Sequence, residues 1–278
     1  MDSDVQVRSQ PNAVTPKKGH PYRTSKVASF RKTRESWGGL SNMASGFPLK
    51  VGPVEVPSSE ALYQACRSPD IPLVQHRIVS QKSAMKAKMV RRPYEEFTRD
   101  DWDEVRVPVM DWCLRLKLSQ HIQSFGDLLW ATGDRPIVEN SHRDDFWGAI
   151  PQGDSLVGLN VLGRLLMRLR RELINDGPSA FEDIEPPRGI RNLTLFGERV
   201  GTVAKVTRVE ARSMAPITIP RDSLVRLWSS FDSHPSRPVL VNSTTPIETP
   251  NGGDDLRSIS LKSDGRQMKL MPAIDEMN

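Results

Sequence analysis

Residues Asn160–Ile174 constrain the fold of this chain more than any other stretch. Leu162, Leu165, Leu166, Leu169 and Leu173 recur at helical spacing, so an α-helix gathers them into one apolar stripe. Arg164, Arg168 and Arg171 fall largely on the outer side of that helix. A helix with a single leucine face has to lay it on another layer of structure, which predicts a packed domain around this element. Asp176-Gly177-Pro178 closes the helix, and the Pro186-Pro187 pair ends the region.

The elements before it are mixed. Phe47-Pro48-Leu49-Lys50-Val51 and Gly52-Pro53-Val54-Glu55-Val56 read as two short strands around a tight bend. Pro57-Ser58-Ser59-Glu60 is a helix start, with serine at the cap and a glutamate in the first turn, and that helix runs until Ser68-Pro69. A second helix is expected over Pro72–Met89. Trp102, Val105, Val109, Trp112 and Leu116 predict another over 100–120, and Ile122–Ala131 a further one. After the break at Thr132-Gly133-Asp134, Arg135-Pro136-Ile137-Val138-Glu139 is a short strand. The class is therefore α+β, a helix-rich domain with minor strands over residues 26–187.

Residues 1–25 are polar, with three prolines and no periodicity, and read as a flexible basic tail. Residues 188–278 read as a β-rich extension or a partly disordered tail. Within it, Val200, Thr202, Ala204 and Val206 alternate as a half-buried strand does, 229–253 is a Ser/Thr/Pro/Gly-rich linker, and Leu256–Pro272 is a hairpin. In that hairpin Ile259 and Leu261 stand opposite Met268 and Leu270 across a turn at Asp264-Gly265.

The 278 residues carry a net charge of +5, which suits a phosphate-bearing ligand or transient contact with nucleic acid, although a plain lysine-rich surface has the same charge. No apolar run reaches the roughly 20 residues that span a bilayer, and the first residues lack a secretory signal, so a cytoplasmic protein without membrane contact is expected. Cys66 and Cys113 belong to no CxxC or Cys/His cluster and read as reduced, buried thiols. The five histidines lack ligand spacing, so no metal site is expected, and no dinucleotide or P-loop motif calls for a cofactor.

Candidate chemistry rests on polar residues placed where a core would not want them. Glu60 and Gln64 share a helix face, and the bland reading is a helix-capping acid beside a solvated amide. Lys86 and Lys88 point to different sides of a helix. One of them turned inward would gain a lowered pKa and a nucleophilic amine, whereas ordinary surface lysines are the commoner case. Residues 137–148 place Glu139 after a strand, then Asp144-Asp145, then Phe146-Trp147. Carboxylates beside an indole suit a stacked ring with an acid or base at work on its sugar. His142 reads as a surface or capping residue, and Trp102, Trp112 and Trp130 as core.

Seven segments occur in the order seen in the NADAR, or YbiA-like, family. They are Gly39-Leu40-Ser41-Asn42; Pro57-Ser58-Ser59-Glu60-Ala61-Leu62-Tyr63-Gln64-Ala65; Ala87-Lys88; Lys117-Leu118-Ser119-Gln120; Thr132-Gly133 with Ile137-Val138-Glu139; Asp144-Asp145-Phe146-Trp147-Gly148; and Gly158-Leu159-Asn160-Val161-Leu162-Gly163 with Leu166-Met167 and Arg170. The chain thus resembles that family over roughly residues 27–180. The resemblance implies an N-glycosidase that removes ADP-ribose from guanine bases in nucleic acid, or that cleaves phosphoribosylamino intermediates of riboflavin synthesis. The segments SSEALYQACR and TGDRPIVENSHRDDFWGA are most similar to NADAR proteins that accompany DarT-type ADP-ribosyltransferase toxins, which implies an antitoxin acting on ADP-ribose-modified guanine in DNA. One departure is Arg67, where many YbiA-like members carry lysine. An arginine stays protonated and is no amine nucleophile.

On that resemblance Lys88 is the expected nucleophile, with Lys86 and Lys117 as lesser choices, and Glu60 and Asp144 are the expected acid/base groups. Glu139 would hold ribose hydroxyls, Trp147 would stack on a ring, and Asn42, the backbone at Gly39, Arg31 and Lys32 would receive phosphates. Gln64 and Asn160 complete the expected ligand-binding set. Three other readings compete: the same chemistry on a riboflavin-pathway N-glycoside, a catalytically silent ADP-ribose-binding module, and a protein that neutralises a toxin by contact through the extension.

Overall fold

A computed structural model describes residues 19–205 and the backbone of 260–263 and 266–269. Contacts divide the chain into two units, Met1–Met214 and Ala215–Asn278. The first is α+β, as expected, with six α-helices and short strands among the described residues.

Two sheets tie the ends of the domain together. Strand β1 (His20–Arg23) pairs antiparallel with β7 (Ser155–Gly158), which in turn pairs with β6 (Ile150–Gln152). Strand β2 (Ala28–Phe30) lies parallel to β5 (Ile137–Glu139), with Phe30 in register with Glu139. Within the basic tail expected over 1–25, residues 20–23 instead take up a sheet edge that β7 leaves open. Arg8, Lys17 and Lys18 lie outside the described residues. The expected hairpin forms as β3 (Leu49–Val51) and β4 (Val54–Val56).

The helices are α1 (Ser59–Ala65), α2 (Pro72–Val79), α3 (Ala84–Arg91), α4 (Trp102–Gln120), α5 (Ser124–Ala131) and α6 (Val161–Asp176). Ser58 caps α1 by accepting the amide of Ala61, as the serine-rich start predicts. The single helix expected over 72–89 is two, because Ser80 ends α2 and the Ser83 hydroxyl caps α3 by accepting the amide of Lys86. Helix α6 lays its leucine stripe on the core, and Leu162, Leu166 and Leu169 are all fully buried. Trp102 and Trp112 are core residues as expected, whereas Trp130 is 69% exposed. Its neighbour Leu129 takes the inward position on α5 instead.

The chain does not leave the domain at residue 187. Strands β8 (Asp183–Ile184) and β11 (Val203–Ala204) pair, as do β9 (Thr194–Leu195) and β10 (Glu198–Arg199), and Leu193, Leu195, Val200 and Val203 are buried. Buried Gln75 on α2 donates to the carbonyls of Ala65 and Thr194 and accepts the amide of Phe196. These bonds staple residues 194–196 to the helical layer, so 188–205 belong to the first unit. The strand expected over 200–206 is confined to Val203–Ala204 among the described residues.

In the second unit the described part is the hairpin of β12 (Ser260–Ser263) and β13 (Arg266–Lys269), with Leu261 opposite Met268 as expected. Ile259, Leu270, the Asp264-Gly265 turn and the linker over 229–253 lie outside the described residues.

Candidate active site

The geometry starts at Glu60, a first-turn residue of α1 that is only 3% exposed. Its Oε2 accepts from Asn42 Nδ2 at 2.5 Å and its Oε1 from Gln64 Nε2 at 2.8 Å. Burial pushes its pKa up, against the pull of Gln64, Lys88 and Arg67. Gln64 and Asn42, expected to bind ligand, thus spend their amides on orienting Glu60.

Glu139 is the second acid. It ends β5 half-buried, and burial with the charges of Asp144 and Glu60 raises its pKa to about 7, while Lys88 opposes the shift. The local backbone is held by Asn160, which caps α6 in a left-handed conformation with φ of 48°. Its side chain accepts the amide of Glu139 at 3.1 Å and donates to the carbonyl of Ile137 at 2.8 Å. Asn160 is fully buried and works as a splint for β5, not as a ligand contact. Gly163, one turn along, cannot be larger, because a Cβ there would stand 2.1 Å from the Ile137 carbonyl oxygen and against the Asn160 amide.

Asp144 is exposed and already engaged. Its Oδ1 accepts the amides of Phe146 at 3.1 Å and Trp147 at 2.8 Å, which shapes the turn that presents the indole. Its charge also adds to the burial that raises Glu139. Trp147 is half-buried, edge-on to Tyr63 at 5.7 Å and to Phe146 at 5.2 Å. Tyr63 in turn packs on Trp102 at 4.9 Å, so the indole stands on an aromatic wall between α1 and α4.

The lysines divide differently from the expectation. Lys88 is exposed on α3 and faces both carboxyls closely enough to act on each. Lys86 is exposed, with its amide on the Ser83 cap. The desolvated lysine is Lys117 on α4, 1% exposed. Its Nζ donates to the carbonyls of Gly39 at 2.6 Å and Ser41 at 3.0 Å, and lies 4.2 Å from the ring centres of both Phe47 and Phe125. Burial pushes its pKa well below the usual lysine range. Its amine is spent on the loop that carries Asn42, so Lys117 props up Glu60 through two intermediaries.

At the end of β2, Arg31 and Lys32 are exposed in a turn closed by Arg31's own amide on Glu35, and the Gly39 carbonyl accepts from Lys117. Two further cations stand on the aromatic wall: Arg67, which acts on Glu60 and whose guanidinium lies 5.2 Å from the ring centre of Trp102, and Arg106, 4.0 Å from that of Phe146. Spacing carried a signal for both. Arg67 falls four residues after Tyr63 and Arg106 four after Trp102, on the faces that line the wall. Cys66 and Cys113 are free and buried as expected, and burial pushes the Cys66 thiol up to about 12.

Among the described residues, no helix is long and apolar enough to cross a membrane, and no cluster of three His, Cys, Asp or Glu could hold a metal ion.

Comparison with known proteins covers the same region. The chain is 34% identical to the N-glycosidase YbiA of Escherichia coli over 147 residues, 53% of this chain and 88% of that protein. It is 40% identical to a riboflavin biosynthesis protein of Vibrio vulnificus over 122 residues, 44% of this chain and only 32% of that protein's length. The NMR structure of E. coli YbiA is 33% identical, with a TM-score of 0.48 over 54% of this chain and 86% of that one. The model of the NADAR domain matches residues 29–174, which spans Asn42, Glu60, Lys88, Glu139 and Trp147 alike, and the chain belongs to the NADAR family.

Proposed function

We propose that this protein is an N-glycosidase that removes ADP-ribose from guanine bases in DNA, and so acts as antitoxin to a DarT-type ADP-ribosyltransferase. The observation that carries the reading is Glu139, a carboxyl whose pKa burial and the charges of Asp144 and Glu60 raise to about 7, with Lys88 near enough to oppose the shift. A group that titrates near neutrality serves as a general acid there. The name of the YbiA relatives, N-glycosidase, supports the class of reaction.

The chemistry follows from a ribose joined through an exocyclic amine. Glu139, with Glu60 behind it, delivers a proton to the ring oxygen. The nitrogen lone pair moves in as the ring C–O bond breaks, leaving an iminium at the anomeric carbon. Lys88 adds to that carbon through its nitrogen. The base amine departs with a proton, and the sugar is held as a lysine Schiff base. Water adds to the imine, Lys88 is released, and the open aldehyde closes again to ribose. Trp147 stacks on a ring of the substrate. Asn42, Gln64 and Lys117 hold Glu60 in place.

Incubation with guanine-ADP-ribosylated DNA tests this directly, with free ADP-ribose followed by mass. Release of ADP-ribose with restored guanine is the expected result, and intact adduct after prolonged incubation refutes the reading. A second substrate, a phosphoribosylaminopyrimidine, is favoured by the riboflavin biosynthesis protein among the relatives, and the same assay on that compound separates the two.

A further inference from the structure

Arg91, on α3, is the bulkiest fully buried charged side chain among the described residues, at 2% exposure. Its Nη2 reaches the Thr98 hydroxyl, while its Nε and Nη1 meet no hydrogen-bond partner. No described carboxylate comes within ion-pair distance of it, and Glu95 acts on it only at longer range. A second cation, Arg67, stands close enough that its charge and burial together bring Arg91 down to about 10.

Arg67 is equally short of a counter-ion. Its Nε is buried without a partner, and neighbouring Glu60 has both oxygens committed to Asn42 and Gln64. Arg106 adds a third guanidinium, with an unpartnered Nε and an ion pair only to Asp103, whose side chain is 88% exposed. Both Arg67 and Arg106 act on the hydroxyl of Tyr63, so they flank one aromatic wall. Buried cations in folded proteins are paired, and like charges brought together without an anion destabilise the structure. The guanidiniums of Arg67 and Arg106 lie against Trp102 and Phe146, and neither makes a side-chain hydrogen bond among the described residues, so their terminal nitrogens remain as donors. Planar forks of this kind match the paired oxygens of a phosphate.

We infer that Arg67 and Arg106 form the diphosphate-binding subsite of this site, with Arg91 behind them supplying charge and no direct contact. The inference rests on the reading of the substrate as a ribose-phosphate adduct, and it moves the phosphates from the β2 end, at Arg31 and Lys32, to the α1–α4 wall.

Inorganic pyrophosphate is the probe, titrated calorimetrically into the full chain and its variants at low salt. Arg67→Gln and Arg106→Gln are each expected to weaken its binding by about tenfold or more, Arg67→Lys by less, and Arg31→Gln not at all. On ADP-ribosylated DNA the same two glutamine variants raise KM while kcat changes little. Arg67 and Arg106 are both half-buried, and removing one of several like charges relieves repulsion, so these variants melt at or above the wild-type temperature. Wild-type affinity in both glutamine variants, or loss of affinity in Arg31→Gln instead, overturns the assignment. Pyrophosphate binding needs no turnover, so a failed subsite and a failed glycosidase give different results.

Discussion

A carboxyl that titrates near 7 divides the pH range of an enzyme in two. Glu139 is protonated below that point in the folded protein, whereas in the unfolded chain it loses its proton near 4.5. If it is the general acid, kcat falls as the pH rises through about 7. Glu139→Gln then removes that limb and lowers the rate by about a hundredfold or more, as a pH–rate profile records. The same shift has a signed effect on stability. Between 4.5 and about 7 the folded state binds more protons than the unfolded state, so stability falls as the pH rises across that window. Glu139→Gln, which carries no charge to bury, is therefore expected to raise Tm at pH 8 and to change it little at pH 5. Borohydride added during turnover is expected to trap the sugar on Lys88 and not on Lys117, as peptide mass mapping reads. Lys117→Met leaves the carbonyls of Gly39 and Ser41 without their donor, and costs about 1–3 kcal/mol in a urea titration. The roles of these residues were unevenly legible in the sequence. Glu60, Glu139 and Trp147 sit in recognisable segments. The sequence gives no sign of which lysine is buried, because α3 and α4 both carry lysine at ordinary helical spacing and only packing against Phe47 and Phe125 distinguishes Lys117.

At the scale of the element, the junction of β5 with α6 sets the geometry of the site. Asn160 splints the strand, and Gly163 lets the helix come down onto it. Gly163→Ala puts a methyl group into a backbone carbonyl that has nowhere to go. It is expected to cost about 1–3 kcal/mol or more and to lower activity by displacing Glu139, which denaturant melts and the glycosidase assay would both register. Neutral behaviour in both would mean that the junction yields. The leucine stripe made α6 evident from sequence, because burial of one face depends on spacing alone. The break between α2 and α3 was less evident, since Ser80 and Ser83 act through hydroxyl bonds that compete with a helix without forbidding it.

For the whole molecule, the boundary near 187 was set by a proline pair, yet prolines mark a turn of the chain and not the end of its contacts. What binds residues 188–205 to the domain is the side chain of Gln75, an amide with no sequence signature. A chain ended after 187 is expected to melt at a markedly lower temperature than one ended after 214, because it strips partners from Gln75 and from the β8 edge. Equal Tm values for the two would show that those bonds add nothing. The pairing of β2 with β5 bears on how the protein is made. Its two strands lie at residues 28–30 and 137–139, with all of α1–α5 between them. A ribosome adding about 5–20 residues per second needs on the order of ten seconds to deliver the second strand after the first. Until then Glu60 has been synthesised and Glu139 has not, so the nascent chain carries the helices of a site whose second acid has yet to arrive.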